Sequence, residues 1–336
     1  MQKSLFYSSL FTLIFLLGVF IYVGYQKKII TQITEAKQEQ TASAFDSIPK
    51  KKPVFSLLFV GDVMLDRGIR DTVETKYDGN YSKIFAFINT SIARSDVSVL
   101  NLEGPASNRG SDKYNLYSFR MNPDVLSVLR GVGFNLISFS NNHVGDWGRE
   151  AFDDTLDRAG HKDFAVIGAG SNYENTKKPV ILEKNGIKVG FLGFSDEGPL
   201  EMEAGTSTSG ILLLSDPNLE TIIRDTKNKV DYLVVSVHWG EEYKIDPTER
   251  QIEFGHKLID WGTTLVVGHH PHVVEPTEEY KNGLIVYSLG NFIFDQRFSK
   301  ETMEGGLLEL RFNKSGIESY SIKKVGLDKN YKPAFI

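Results

Sequence analysis

Leu265-Val266-Val267-Gly268-His269-His270-Pro271-His272 is a short apolar run that stops at a glycine and three histidines. A run of this length and composition reads as a strand buried on both faces. Imidazole is the commonest protein metal ligand, and rings at 270 and 272, one residue apart past a strand end, can face neighbouring ions. Alone, the pair decides little. Four other apolar runs end the same way: Val54–Val60 in Gly61-Asp62, Asp96–Leu102 in Glu103-Gly104, Phe134–Ser140 in Asn141-Asn142-His143, and Val230–Val237 in His238-Trp239-Gly240. Five ends carrying metal-ligand side chains are expected to converge on one centre.

Between these runs the pattern changes. Pro123–Gly133 has Pro at its start, apolar residues at 125, 126, 128 and 129 and a glycine stop, so it reads as a helix. Arg149–Ala159 and Thr248–Gly262 read as further helices, and Ala165–Gly168 as a short strand. Asn185-Gly186 between Lys178–Glu183 and Ile187–Phe194 is a strong hairpin signal, and Leu307–Phe312 with Gly316–Lys323 forms a closing hairpin. Glu197–Gly210, rich in Gly, Ser, Thr and Glu, is expected to be a surface loop beside the cleft, and Leu284–Leu289 a last strand ending in Gly290-Asn291-Phe292. Strands alternating with helices argue for an α/β fold, in which ligands gather outside the carboxyl ends of the strands. That rim would hold Asp62, Glu103, Asn142, His143, His238, His270 and His272.

The 336 residues suffice for a large core. Residues 1–53 carry a net charge of +4 and the remainder −9, an acidic balance that argues against nucleic-acid binding. There is no cysteine, which excludes disulfides, thiolate metal sites and a lipid-modified Cys anchor. Ser4–Tyr25 is 22 residues without a charge, about 33 Å of helix at ~1.5 Å per residue, enough to span a bilayer. Gly24-Tyr25-Gln26 is a poor cleavage site, so an uncleaved anchor is favoured over a cleaved signal or a buried core helix. Lys3 on one flank faces Lys27 and Lys28 on the other, leaving sidedness open. Three segments are expected: an anchor over 1–25, a polar tether over 26–53 and a globular domain over 54–336.

Carboxylates, imidazoles and an amide together suit Mn, Fe or Zn better than Ca. Two such ions about 3.5–4 Å apart share a carboxylate and clamp both oxygens of a phosphoryl transfer, and the ligand count fits two. Each residue also has a plainer reading. A strand-terminal Asp is often a cap or turn former, Asn141-Asn142 tolerates left-handed backbone, and His238 beside Trp239 fits a packed core ring. His269 reads as structural or as a support for the ligands. Joint placement is the argument for metal.

Gly61-Asp62-Val63-Met64-Leu65, Asn101-Leu102-Glu103-Gly104, Ser140-Asn141-Asn142-His143 with Asp146 and Gly148, His238-Trp239-Gly240 with Glu242, Gly268–His272 and Ser288-Leu289-Gly290-Asn291-Phe292 together resemble the CapA family of capsule and poly-γ-glutamate synthesis proteins, a domain related to calcineurin-like metallophosphoesterases. The resemblance covers about residues 55–300. It implies a four-layer α/β/β/α sandwich behind a single membrane-spanning helix, with the domain outside the cytoplasm. It also implies Asp62 and His272 at a first metal, Glu103 as the bridge, and Asn142, His238 and His270 at a second. His143, steadied by Asp146, would protonate the leaving oxygen or steady the transition state. Arg67, Arg120 and Asn291 are expected, beside that carry-over, to contact an anionic polymer or phosphoester substrate. Where metallophosphoesterases usually place a histidine two residues after the first Asp, this chain has Met64, a soft thioether. The first site would then be weaker, recruit Asp66, or be out of catalytic use. A non-catalytic polymer-binding or assembly subunit of a membrane synthase is the rival reading, with Arg67, Arg109 and Arg120 as the patch that would offset the acidic surface.

Overall fold

The computed structural model describes residues 2–46 and 53–336, and the chain divides into two compact units between residues 52 and 53. In the first, a single helix runs Gln2–Asp46. Within it Leu10–Gln40 contains a window of mean hydropathy 1.6, long and apolar enough to cross a membrane. The tether expected over 26–53 is helical as far as Asp46. Residues 26–46 hold neither Gly nor Pro and are rich in Gln, Lys, Glu, Ala and Ile, so nothing in the sequence stops the helix where its apolar part ends. The rest of the expected tether, 47–52, lies outside the described residues.

The second unit is built on two sheets. One runs, edge to edge, through the strands Pro333–Phe335, Gly316–Leu327, Glu304–Asn313, Phe55–Val63, Val97–Leu102, Leu136–Ser138 and Ala165–Ile167. The other runs Thr277–Tyr280, Gly283–Val286, Leu265–His269, Tyr232–His238, Ile187–Ser195 and Val180–Lys184. The strands that carry the predicted ligands pair in parallel within each sheet, so their carboxyl ends lie at one rim.

Side-chain alternation sorts these strands into layers. Phe55, Leu57 and Phe59 of one sheet meet Val234, Leu265 and Val267 of the other in a central core. Leu58, Val60 and Leu100 face away, onto Ile69 and Val73 of the helix Arg67–Tyr77, Leu126 and Leu129 of Val125–Val132, and Phe152 of Gly148–His161. On the opposite side Val235, Val237 and Val266 pack against Ile222 and Ile223 of Leu219–Lys227 and Leu258 and Ile259 of Glu249–Asp260. Helix, sheet, sheet, helix is the expected four-layer sandwich.

One strand departs from expectation. The run after Gly283–Val286 leaves its sheet at Ser288–Gly290, where Gly290 has φ of 63°, and Asn291–Ile293 pairs in parallel with Phe55–Val63 of the other sheet. This crossing brings Asn291 level with Asp62.

Candidate metal centre

Each predicted ligand sits where a strand runs out. Asp62 is next to last in Phe55–Val63, Glu103 follows Val97–Leu102, and Asn142 and His143 lie just beyond Leu136–Ser138. From the other sheet come His238, which closes Tyr232–His238, and His270 and His272, past the end of Leu265–His269. Both of the latter have left-handed backbone, φ 101° and 59°, a cost that structures tolerate mainly where side-chain placement matters. Gly268 is needed for close approach: a Cβ there would lie 1.9 Å from the Tyr287 carbonyl oxygen, which accepts the Trp239 indole N–H at 2.9 Å.

Two overlapping ligand groups result. Asp62, Glu103 and His272 bring one ligand atom each within 4.8 Å of one another, and so do Glu103, His238 and His270. Glu103 belongs to both, as a bridging carboxylate must. The Asn142 Oδ1 lies 2.9 Å from His238 Nε2, on the side of the second group.

The polar atoms here test the fit of a cation. Glu103 is fully buried and neither of its oxygens has a hydrogen-bond partner; His270 Nδ1 is also buried and unpartnered. The nearest groups of opposite potential charge, His238 Nε2 at 3.7 Å and His272 Nε2 at 3.9 Å, stand off at ligand-to-ligand spacing. A buried carboxylate without donors is costly, and a metal ion is the partner that this donor set fits.

Without a cation, charge distributes unevenly over the cluster. Burial and the neighbouring Asp62 charge push Glu103 well above the usual carboxylate range. Burial acts the same way on Asp62, but the His269 and His272 rings, with Nδ1 atoms 3.2 and 3.3 Å from its oxygens, outweigh it and hold that carboxyl well below its usual value. Burial and the adjacent His272 lower His270 to about 3, and burial with His270 nearby lowers His238. His272 goes the other way, to about 9, because Glu103 and Asp62 outweigh its burial. Ionised Asp62, neutral His238 and neutral His270 are the forms that bind metals.

A network unread in the sequence holds these ligands in place. Asn101 Nδ2 donates to Asp62 Oδ1 at 2.9 Å and lies 3.4 Å from His238 Nδ1, joining the two sheets. Asn141 Nδ2 in turn donates to Asn101 Oδ1 and to the Leu102 carbonyl, and Asn141 Oδ1 accepts from the His143 backbone N–H. The signal was present: an Asn inside the mostly apolar run Val97–Leu102 needs a buried partner. His269 Nδ1 stands 3.2 Å from Asp62 Oδ1, in the supporting position expected of it.

His143 and Asp146 meet as expected, with Nδ1 to Oδ2 at 2.8 Å. Asp146 is fixed by the Asn115 side-chain amide and the Phe119 backbone N–H, and the His143 ring lies against Phe119, centroids 4.0 Å apart and planes tilted by 37°. His143 and His272 line one cavity of about 410 Å³, with Arg67, Glu242, Tyr243 and Phe298 among its other walls. Glu242 belongs to a motif quoted from the sequence, without a role assigned to it, and Tyr243 is a cavity residue that the sequence reading did not single out.

The expected substrate contacts separate. Arg67 lines the cavity, its Nε 3.2 Å from Asp295 Oδ2. Arg120 does not; its guanidinium lies over the Trp147 ring at 3.5 Å, and its backbone N–H donates to Asp66. Asn291 is fully buried, with Oδ1 3.0 Å from His272 Nδ1 and Nδ2 bonded to Gln296 and the Thr302 carbonyl, so its amide backs the His272 ring and is not part of the cavity lining. Asp66 spends one oxygen on Arg120 N–H and the other on Arg70, and the Asp66 N–H donates to the buried Met64 sulfur. Asp66 belongs to neither ligand group.

Fold and site together define a metallophosphoesterase-type sandwich. The same fold is found in a solved phosphatase from Mycoplasma pneumoniae (TM-score 0.50, 14% identity, covering 82% of this chain and 95% of that one). It recurs in a hypothetical protein from Thermus thermophilus (TM-score 0.51, 17% identity, 80% and 98%). Within that class, the chain belongs to the bacterial capsule synthesis protein family PGA_cap, whose model matches residues 56–296. It is 31% identical over 277 residues to the PGA biosynthesis protein CapA of Bacillus subtilis, covering 82% of this chain and 72% of that protein. Its identity to the capsule biosynthesis protein CapA of Bacillus anthracis is 30%, over 78% of this chain and 64% of that protein.

Proposed function

We propose that the protein is a membrane-anchored, metal-dependent phosphoester hydrolase acting outside the cytoplasm in the synthesis or export of an anionic surface polymer of the poly-γ-glutamate type. The observation that carries the hydrolase half is Glu103, a buried carboxylate without hydrogen bonds, shared by two groups of metal-ligand atoms. Asp62, Glu103 and His272 would hold one divalent ion, and Glu103, Asn142, His238 and His270 another, with Mn, Fe or Zn suited to these donors. Such ions supply Lewis acidity to a phosphoryl oxygen and a source of hydroxide at neutral pH.

The remaining work falls to the chain. Asp146 takes the Nδ1 side of His143, which fixes the tautomer and leaves Nε2 to hand a proton to the departing oxygen. Phe119 covers one face of that ring, and Arg67 offers a guanidinium in the same cavity for a second anionic group of the substrate. The apolar helix and the family's link to capsule polymers support the anchor and the pathway.

Elemental analysis of the purified chain, paired with a phosphoester substrate panel, tests this. About two metal equivalents with turnover that falls by at least about 100-fold in His143→Ala and Asp62→Ala is the expected result. Zero or one equivalent without turnover overturns it. That outcome belongs to a second reading, a non-catalytic polymer-binding or assembly subunit of a membrane synthase. It is favoured by one observation, the buried Met64 whose sulfur is already occupied by the Asp66 N–H.

A further inference from the structure

Three loops that contribute to the cavity wall carry apolar side chains that the fold leaves in water. Tyr114 and Leu116, 89% and 90% exposed, stand beside Tyr117, while Ile245 at 59% follows Tyr243, and Phe298 at 63% comes from a third loop. Tyr117, Tyr243 and Phe298 line the cavity itself, and the Tyr243 and Phe298 rings meet edge to face at 4.9 Å. Single exposed apolar residues are ordinary, but a cluster drawn from three separate loops around a catalytic mouth marks an interaction surface.

These loops are held by the metal centre's own neighbours. Asp146, the partner of His143, receives the Asn115 amide, and its carbonyl accepts the Lys113 N–H at 2.8 Å; Asp112 pins Tyr114 N–H and Ser118 from within the loop. Tyr243 N–H donates to the Pro271 carbonyl, inside the histidine motif, and Gln296 bridges Asn291 to the Tyr243 hydroxyl. The tips are therefore fixed relative to the chemistry, and their exposure is built in.

We infer that this rim docks on the interfacial layer of a lipid bilayer, so that the cavity opens at the membrane surface. The reading rests on the proposed anchor, the feature that makes a bilayer the constant neighbour of this domain. Tyr with Leu, Ile and Phe is the mixture that partitions into the headgroup region, the ring hydroxyls staying wet while the bodies are buried. Charge adds little. On these three loops exposed Lys113, Lys244, Arg297 and Lys300 face exposed Glu241, Asp246 and Glu301, a small cationic excess that suits anionic headgroups, so apolar insertion carries most of the contact.

The chain has no cysteine, so single labels can be placed cleanly. Full-length protein carrying Leu116→Cys, Phe298→Cys or, at the far end of the sheets, Asn282→Cys is labelled with an environment-sensitive fluorophore and reconstituted into phosphatidylethanolamine–phosphatidylglycerol bilayers containing spin-labelled lipid. Labels at 116 and 298 are expected to be quenched at least about twofold more than the label at 282. Adding Leu116→Asp with Ile245→Asp should abolish quenching at 298 while the protein still floats with the vesicles. Equal, weak quenching at all three positions in a chain that floats overturns docking and leaves the anchor standing. Protection of 116 in native membranes without quenching by lipid assigns the rim to a protein partner and also overturns it. A chain that does not float overturns the anchor, and the docking inference falls with it.

Discussion

Asn291 shows how the fold decides what one side chain can reach. Its motif pointed to the site, and it is there, but the crossing of Asn291–Ile293 to the other sheet puts its amide behind His272. Side chains that orient a metal-binding ring are worth about 10–100-fold in metal affinity. Asn291→Ala is therefore expected to weaken metal binding by about that factor while leaving the melting temperature of the metal-free protein within about 3 °C. Competition with a chromophoric chelator measures the first and a thermal melt in excess chelator the second. Affinity unchanged within twofold would return Asn291 to the structural background. Asn101 and Asn141 were harder to read than the ligands, because their use depends on which strands become neighbours.

At the scale of elements, the helix Glu249–Asp260 is tied to the sheet by a carboxyl group in an unusual state. Thr248 and Gln251 form a reciprocal cap, and the Gln251 amide nitrogen donates to Glu275 Oε2 at 2.7 Å. Glu275 is buried, its other oxygen has no partner, and burial, with Asp246 nearby, raises it to about 7 despite the Gln251 bond. The folded protein thus holds a proton that the unfolded chain releases near 4.5. Stability from this group is fully present below about pH 4.5 and is lost as pH climbs towards 7. Glu275→Gln, neutral at every pH, should raise the melting point by roughly 3–8 °C at pH 8 and by much less at pH 5, read by calorimetry in matched buffers. An equal gain at both values would mean the carboxyl is not titrating.

Strands such as Tyr232–His238 were legible because burial on both faces writes an unbroken apolar run, and the Thr248 cap was legible in its residues. Arg67–Tyr77 was not, since only Ile69 and Val73 of its eleven residues are buried, too sparse a stripe to separate from loop. For the whole molecule, the layer order was legible only through family resemblance; periodicity alone pointed to an α/β sheet. What the apolar pattern does establish is that, among the described residues, all three cores are made from positions between Phe55 and Tyr331, and none draws on the first 52. The folding free energy of the sandwich must then come from its own layers, because burial of apolar surface is the dominant favourable term. Removing residues 1–52 is accordingly expected to leave a soluble domain that melts within about 3 °C of the detergent-solubilised full chain and binds the same number of metal equivalents. Circular dichroism melts and elemental analysis on both proteins decide the matter. A truncated domain that aggregates, or loses metal while the full chain keeps it, would show that the N-terminal helix contributes to the fold as well as to attachment.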